Sequence, residues 1–249
     1  DTSYSDILRE YNISDKLLAG INYETIEPTY VSLSDFFRYS VSGHSADSIG
    51  RFMDNICEYA VCNGISIKAV KLSSDVKFVV PKNGEVYSNI AEIHKLLDSL
   101  LEEFSKKRNA LVPEWKTNGG EKTRDKYIAD KCGRIFVIID DMAKFAELIH
   151  KDAESEHYVK LAELLLNGGK DHAIHFFGGY VSTRKSYLSL SNTFKSENQG
   201  IHFGGKVSEQ NVLEMEMPLP QKLKPLDDHI GYSLISGKIT AIYEPERKI

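Results

Sequence analysis

The sequence predicts an α/β protein, with a mainly parallel central sheet flanked by helices on both faces. Three observations lead there. Residues 135–139 (Ile-Phe-Val-Ile-Ile) are an unbroken apolar run that ends abruptly in two carboxylates, Asp140 and Asp141. A run of this kind reads as a strand buried on both faces, the pattern of a parallel sheet covered by helices. Strand-like and amphipathic helical segments then alternate along most of the chain, as in doubly wound folds. Beyond residue 200 the character changes to short strands between Gly and Pro turns, which predicts a small antiparallel closure over residues 200–249.

Taken in order, residues 1–18 read as a short lead-in helix, because Ile7, Leu8 and Tyr11 share a face. Residues 20–28 read as a loop or edge segment, since Pro28 cannot sit in a central strand. Residues 29–33 and 36–42 read as strands, the second running straight into Gly43. From residue 47 to 62 the apolar positions Ile49, Phe52, Met53, Ile56, Tyr59 and Ala60 fall at helical spacing, and Gly64 is the expected stop. Residues 65–72 are β-branched and predict a strand; residues 75–80 are a shorter apolar stretch. The longest amphipathic helix is expected over residues 90–111, with Lys106, Lys107 and Arg108 at its negative end. Residues 112–130 read as a polar surface excursion. After the 135–139 strand come helices over 142–150 and 154–166, a strand over 173–177 followed by Gly178 and Gly179, and a helical turn or two within 180–197. In the tail, residues 200–203, 213–217, 230–235 and 238–243 read as short strands.

With 249 residues, 41% hydrophobic and 27% charged, the chain suits one globular α/β domain, 1–249, with 1–28 as its lead-in. No apolar run approaches the ~18 to 20 residues needed to cross a bilayer, and the polar, acidic start is not a signal peptide. The first residue is not Met, so the sequence reads as part of a longer protein, with any membrane anchor outside it. Net charge is −5 and the basic residues are interspersed with acids, which argues against nucleic acid as a partner. Cys57, Cys62 and Cys132 form no CxxC pair, as expected in a reducing compartment. His44, His172, His175 and His202 have no metal-ligand spacing.

The chemistry-bearing candidates are the turn after the 36–42 strand and the acids after the 135–139 strand. A strand, a tight turn and a helix form the setting of a phosphate-binding loop, where backbone N–H groups cradle phosphate and a Lys reaches its terminal oxygens. The turn reads Gly43, His44, Ser45, Ala46, Asp47, Ser48, Ile49, Gly50, Arg51. Counted from Gly43, Ser48, Ile49 and Gly50 stand where Gly, Lys and Ser/Thr are needed. Counted from Gly50-Arg51, Ser45 replaces the first Gly and Phe52 the metal-binding hydroxyl. In either register the Lys is missing. Asp140 and Asp141 lie in the crevice beyond the strand ends, where such folds bind ligands; their other reading is a helix N-cap for residues 142–150.

Together these segments resemble the FtsK/SpoIIIE family of motor ATPases. More narrowly, they resemble the third, C-terminal ATPase domain of the EssC-type membrane-anchored motors of type VII secretion. Residues 20–31, 43–51, 135–141 and 200–213 carry the resemblance, the last being the most specific. It implies a RecA-like P-loop NTPase fold and an ATP and Mg²⁺ site of which Gly43, His44, Ser45, Ser48, Ile49, Gly50 and Arg51 would be the nucleotide-binding turn. Asp140 would match the Mg²⁺-binding acid and Asp141 the catalytic Glu position. Loop, base and sensor (Gly178-Gly179) all depart from the family pattern, so ATP and Mg²⁺ are expected to bind weakly or not at all. The resemblance also implies tandem or hexameric assembly at the cytoplasmic face of the cell membrane. It makes upstream ATPase domains of the same chain, secreted helical effector proteins and other secretion-system subunits the partners. One reading is a recognition and regulatory module, its groove expected near residues 201–203. The alternative is a slow ATPase, with Arg51 in place of the Lys and Arg184 or Arg108 as an arginine finger. In both, the 36–51 and 135–141 segments are expected on neighbouring strands.

Overall fold

The apolar run at 135–139 is the strand on which both halves of the core are built. In the computed structural model, which describes residues 4–182 and 184–244, Phe136 and Ile138 face one apolar cluster and Ile135, Val137 and Ile139 the other. Alternation along a pleated strand distributes a continuous apolar run in this way, and it needs helices on both sides to keep water away.

The first described elements are α1 (Tyr4–Tyr11), β1 (Lys16–Asn22), β2 (Pro28–Ser32), β3 (Arg38–Gly43), α2 (Ala46–Cys62), β4 (Ser66–Val70) and β5 (Glu85–Tyr87). Next come α3 (Ile90–Lys106), α4 (Val112–Asn118), α5 (Arg124–Cys132), β6 (Ile135–Ile139), α6 (Met142–Lys151), α7 (Ser155–Gly168) and β7 (Ile174–Val181). The last are α8 (Ser189–Lys195), β8 (Gly200–Gly205), α9 (Leu219–Leu223), β9 (Leu226–Ile235) and β10 (Lys238–Tyr243). The strands form one sheet in the order β2-β1-β10-β9-β8-β3-β7-β6-β4-β5. From β8 to β5 every pairing is parallel; β8 with β9, and all pairs beyond it, are antiparallel. α1 and α2 cover one face, and α3, α6, α7 and α8 the other.

Four expectations change, and the edge position expected for Pro28 holds. The lead-in helix stops at Tyr11; Leu17 and Leu18 instead enter a strand, because both are buried against the α2 side of the core. Pro28 opens the edge strand β2, where its missing N–H costs no ladder bond. Residues 112–130 carry α4 and α5 rather than an excursion, with Pro113 tolerated in the first turn. Residues 213–217 form no strand: Leu213 and Met215 are tucked singly into the core, and Asn198 Oδ1 accepts the N–H of Glu214 at 2.8 Å. Finally, β3 and β6 are not neighbours. β7 lies between them and is longer than expected, running through Gly178 and Gly179 to Val181. Glycine permits this insertion, since a Cβ at Gly179 would collide with the carbonyl of Asp140.

Candidate functional site

The carboxyl ends of β3, β4, β6, β7 and β8 open on one side of the sheet, because these strands run parallel. Every residue proposed for the nucleotide site lies on or beside that edge. β3 ends at Gly43 and α2 begins at Ala46, so only His44 and Ser45 connect strand to helix. A cradle that wraps a phosphate needs several consecutive free N–H groups. Here the N–H of His44 donates to Phe203 O at 2.9 Å, and that of Ser48 to the N-capping Ser45 Oγ at 3.3 Å. The Ser48 hydroxyl, where the first register needs a glycine, donates to Ser45 O at 2.9 Å. The His44 ring rests against Gly205, which adopts a left-handed φ of 57° and leaves no room for a side chain. Ile49 is buried in the core. Gly50 backs onto the chain at Lys77 so closely that a Cβ would meet its carbonyl.

Arg51 is engaged along the same edge, where β9 begins and β10 ends. Its Nε lies 3.3 Å from Glu244 Oε2 and its Nη2 donates to Asp228 O at 2.9 Å. Glu244 is 1% exposed and also accepts from Asn55 Nδ2 at 3.1 Å. Burial raises its pKa to about 8, with Arg51 pulling the other way.

The two acids after β6 are likewise bound by the protein's own groups. Asp140, 1% exposed, accepts the N–H of Leu72 (2.8 and 3.0 Å) and of Ser73 (3.0 Å). Desolvation raises its pKa to about 6 against the pull of these two donors, with the Asp141 charge adding to the rise. Asp141 Oδ1 caps α6 by accepting the Lys144 N–H at 2.9 Å, while Oδ2 accepts from Arg184 Nη1 at 2.9 Å. Of the alternatives read from the sequence, the helix-cap role is thus the one this side chain takes.

These contacts fasten the loop of residues 71–80 over the strand ends. Asp140 holds its start, and Lys144 Nζ donates to Leu72 O at 2.6 Å. Arg184 bridges Asp141 to Asp75 (2.9 Å), and Asp54 Oδ1 accepts from Val79 N at 2.7 Å. Lys144, Asp54, Asp75 and Glu244 were not singled out from sequence. Each is an ordinary surface-type residue whose role appears only when elements distant in the chain meet. Lys144, three residues past the capping Asp141, carried the one legible hint.

The residues present do not fit Mg²⁺-ATP as arranged. The turn holds no Lys, the connection is two residues long, and the metal-position carboxylate accepts from two backbone N–H groups. Of the arginines considered as fingers, Arg184 is engaged as above. Arg108 lies with His172 at the opposite end of the sheet, before the start of β7. The expected groove near residues 201–203 is not a surface: Ile201 and Phe203 are 0% exposed in β8. His202 between them is held by Ser42 Oγ at 3.1 Å, and burial lowers its pKa to about 4. Among the described residues no group of three or more His, Cys, Asp and Glu could hold a metal ion, and no helix is long and apolar enough to cross a membrane.

No family model matches the chain, and no curated protein matches it by search. Solved structures do. The cytoplasmic domain of EssC superposes with a TM-score of 0.78 at 14% identity, over 99% of this chain and 47% of that one. EssC (ATPases 2 and 3) from Geobacillus thermodenitrificans gives 0.75 at 13% identity, over 99% and 44%. Thermomonospora curvata EccC (ATPases 2 and 3), solved in complex with a signal sequence peptide, gives 0.68 at 14%, over 94% and 41%. The chain spans less than half the length of each. At this identity the likeness speaks for the fold alone: the chain shares the α/β architecture of the EssC and EccC structures.

Proposed function

We propose that this chain is an ATPase-fold domain of a type VII secretion motor whose phosphate grip has been lost. Its work is to recognise secreted helical proteins or neighbouring subunits and to regulate the upstream ATPase domains of the same chain. In this reading the full protein is anchored elsewhere, assembles as a hexamer, and presents this domain at the cytoplasmic face of the membrane. One observation carries the proposal. The edge where a nucleotide would sit is closed by the protein's own groups: a two-residue turn, Asp140 on the backbone of residues 72–73, and Arg51 on Glu244. The scaffold is retained in full, as its superposition over 99% of the chain indicates. That a related EccC fragment was solved with a signal sequence peptide supports recognition as the retained task.

The test is a calorimetric titration of the domain with Mg²⁺-ATP, followed by a secreted-substrate peptide with and without nucleotide. The expected result is no nucleotide heat and peptide binding that ignores nucleotide. Saturable, Mg²⁺-dependent ATP binding, with turnover lost in Asp140→Asn, would establish the slow ATPase instead. Absence of peptide binding in both states would remove the recognition role.

A further inference from the structure

At the opposite end of the sheet lies a cleft that the nucleotide-type site does not use. α3 runs through a widened turn, Lys107–Leu111, directly into α4. Phe104, Arg108, Val112 and Lys116 recur every four residues along this path and share a side. Arg124, the first residue of α5, and Asp171 and His172, just ahead of β7, face them. These seven residues line a cleft of about 350 Å³, within the size range of small-molecule sites.

Its charge and its hydrogen-bonding groups are not balanced internally. Arg108, Lys116 and Arg124 are three cations against one lining carboxylate, Asp171, which pairs with Arg124 Nη2 at 2.8 Å. His172 is 4% exposed and stacks on Phe104 with ring centroids 3.6 Å apart. Its Nδ1 lies 2.8 Å from Gly168 O, an acceptor only, so Nδ1 carries the hydrogen and donates. Burial, the nearby Arg124 and Lys107 all favour the neutral ring, against the Gly168 bond and Asp171. Nε2 is then a bare acceptor with no partner among the described residues, and the buried Nε of Arg124 is a donor with none. A buried polar atom without a partner is costly, and native sites that keep one usually have a use for it.

A ligand that satisfies this cleft must offer anionic oxygens to the guanidinium and ammonium groups and an O–H to His172. A carboxylate has no O–H to give. A singly protonated phosphate ester has both. We propose that this cleft binds a small phosphate monoester. Its P–OH donates to His172 Nε2, its anionic oxygens accept from Arg124, Arg108 and Lys116, and Phe104 and Val112 form the wall for its organic part.

Trp115, the sole tryptophan, lies under the Arg124 guanidinium at 5.5 Å and reports on the cleft by fluorescence. The whole chain is titrated with phenyl phosphate and with benzoate, which shares the ring and lacks the P–OH. The expected outcome is a saturable change with phenyl phosphate, at least about tenfold tighter than with benzoate. Arg108→Gln with Lys116→Gln, both exposed positions, should weaken phenyl phosphate at least about tenfold while leaving the far-UV spectrum unchanged. His172→Phe keeps the stacking on Phe104, removes both ring nitrogens and should lower affinity as well. If that variant does not fold, the double variant decides alone. The assignment is overturned by no saturable binding, by benzoate binding as tightly, or by unchanged affinity in the double variant. Binding confined to phosphatidic acid vesicles would also overturn it.

Discussion

Asp140 and Glu244 are carboxyl groups held where water cannot solvate their charge. Both keep a proton more readily in the folded chain than in the unfolded one, with pKa values of about 6 and about 8 against ordinary values of 3.8 and 4.5. The folded state therefore binds more protons between each pair of values, and stability falls as pH rises through that window. The urea midpoint should drop between about pH 5 and pH 8, and Glu244→Gln, which cannot ionise, should flatten most of the drop above pH 6. An unchanged slope in that variant would mean that Glu244 ionises freely. Asp141 works differently, through hydrogen bonds to a helix end and an arginine. Asp141→Ala should cost about 1–2 kcal/mol in urea unfolding, and Asp141→Asn, which can still cap, clearly less.

The strand–turn–helix unit shows how little space is left between elements. A methyl group at Gly50 would press on the Lys77 carbonyl, so Gly50→Ala should destabilise by about 1–3 kcal/mol through overpacking. Arg51→Lys, which supplies the residue a phosphate loop needs, should create no ATP turnover in a coupled phosphate-release assay. The obstacle is the two-residue connection and not one side chain. At this scale the sequence was most informative where burial dictates composition. The run 135–139, the helical spacing from Ile49 to Ala60 and the stop at Gly64, with φ 65°, all form as read. It was least informative where partners are remote. The apolar residues of 213–217 look like a strand, yet they fill the core from an irregular segment. Polar 112–130 looks like a loop, yet it is two short helices held by contacts such as Trp115 Nε1 to Lys122 O at 2.9 Å. For the site, the sequence located the turn and both acids correctly at the strand ends. What those acids bind could not be read, because Leu72, Ser73 and Arg184 reach them through the fold.

Across the molecule, the β9–β10 hairpin is what joins the N-terminal hairpin to the parallel strands within the sheet, beside the packing of β1 on α2. β10 pairs with β1, and β9 with β8, so the N-terminal hairpin reaches the parallel core through residues near 240. Ending the chain at residue 225 should therefore abolish the cooperative unfolding transition, as followed by circular dichroism, and should not merely trim an appendage. The same pairing has a consequence during synthesis. Ile21 meets Tyr243 across the sheet, so β1 leaves the ribosome long before its neighbour exists. At roughly 5–20 residues per second that delay is on the order of 10 to 40 s. Throughout it, an apolar hairpin waits with one flank open to any passing strand. Nascent chains of this protein are thus expected to depend on a holding chaperone, and slowing translation should raise the fraction that aggregates.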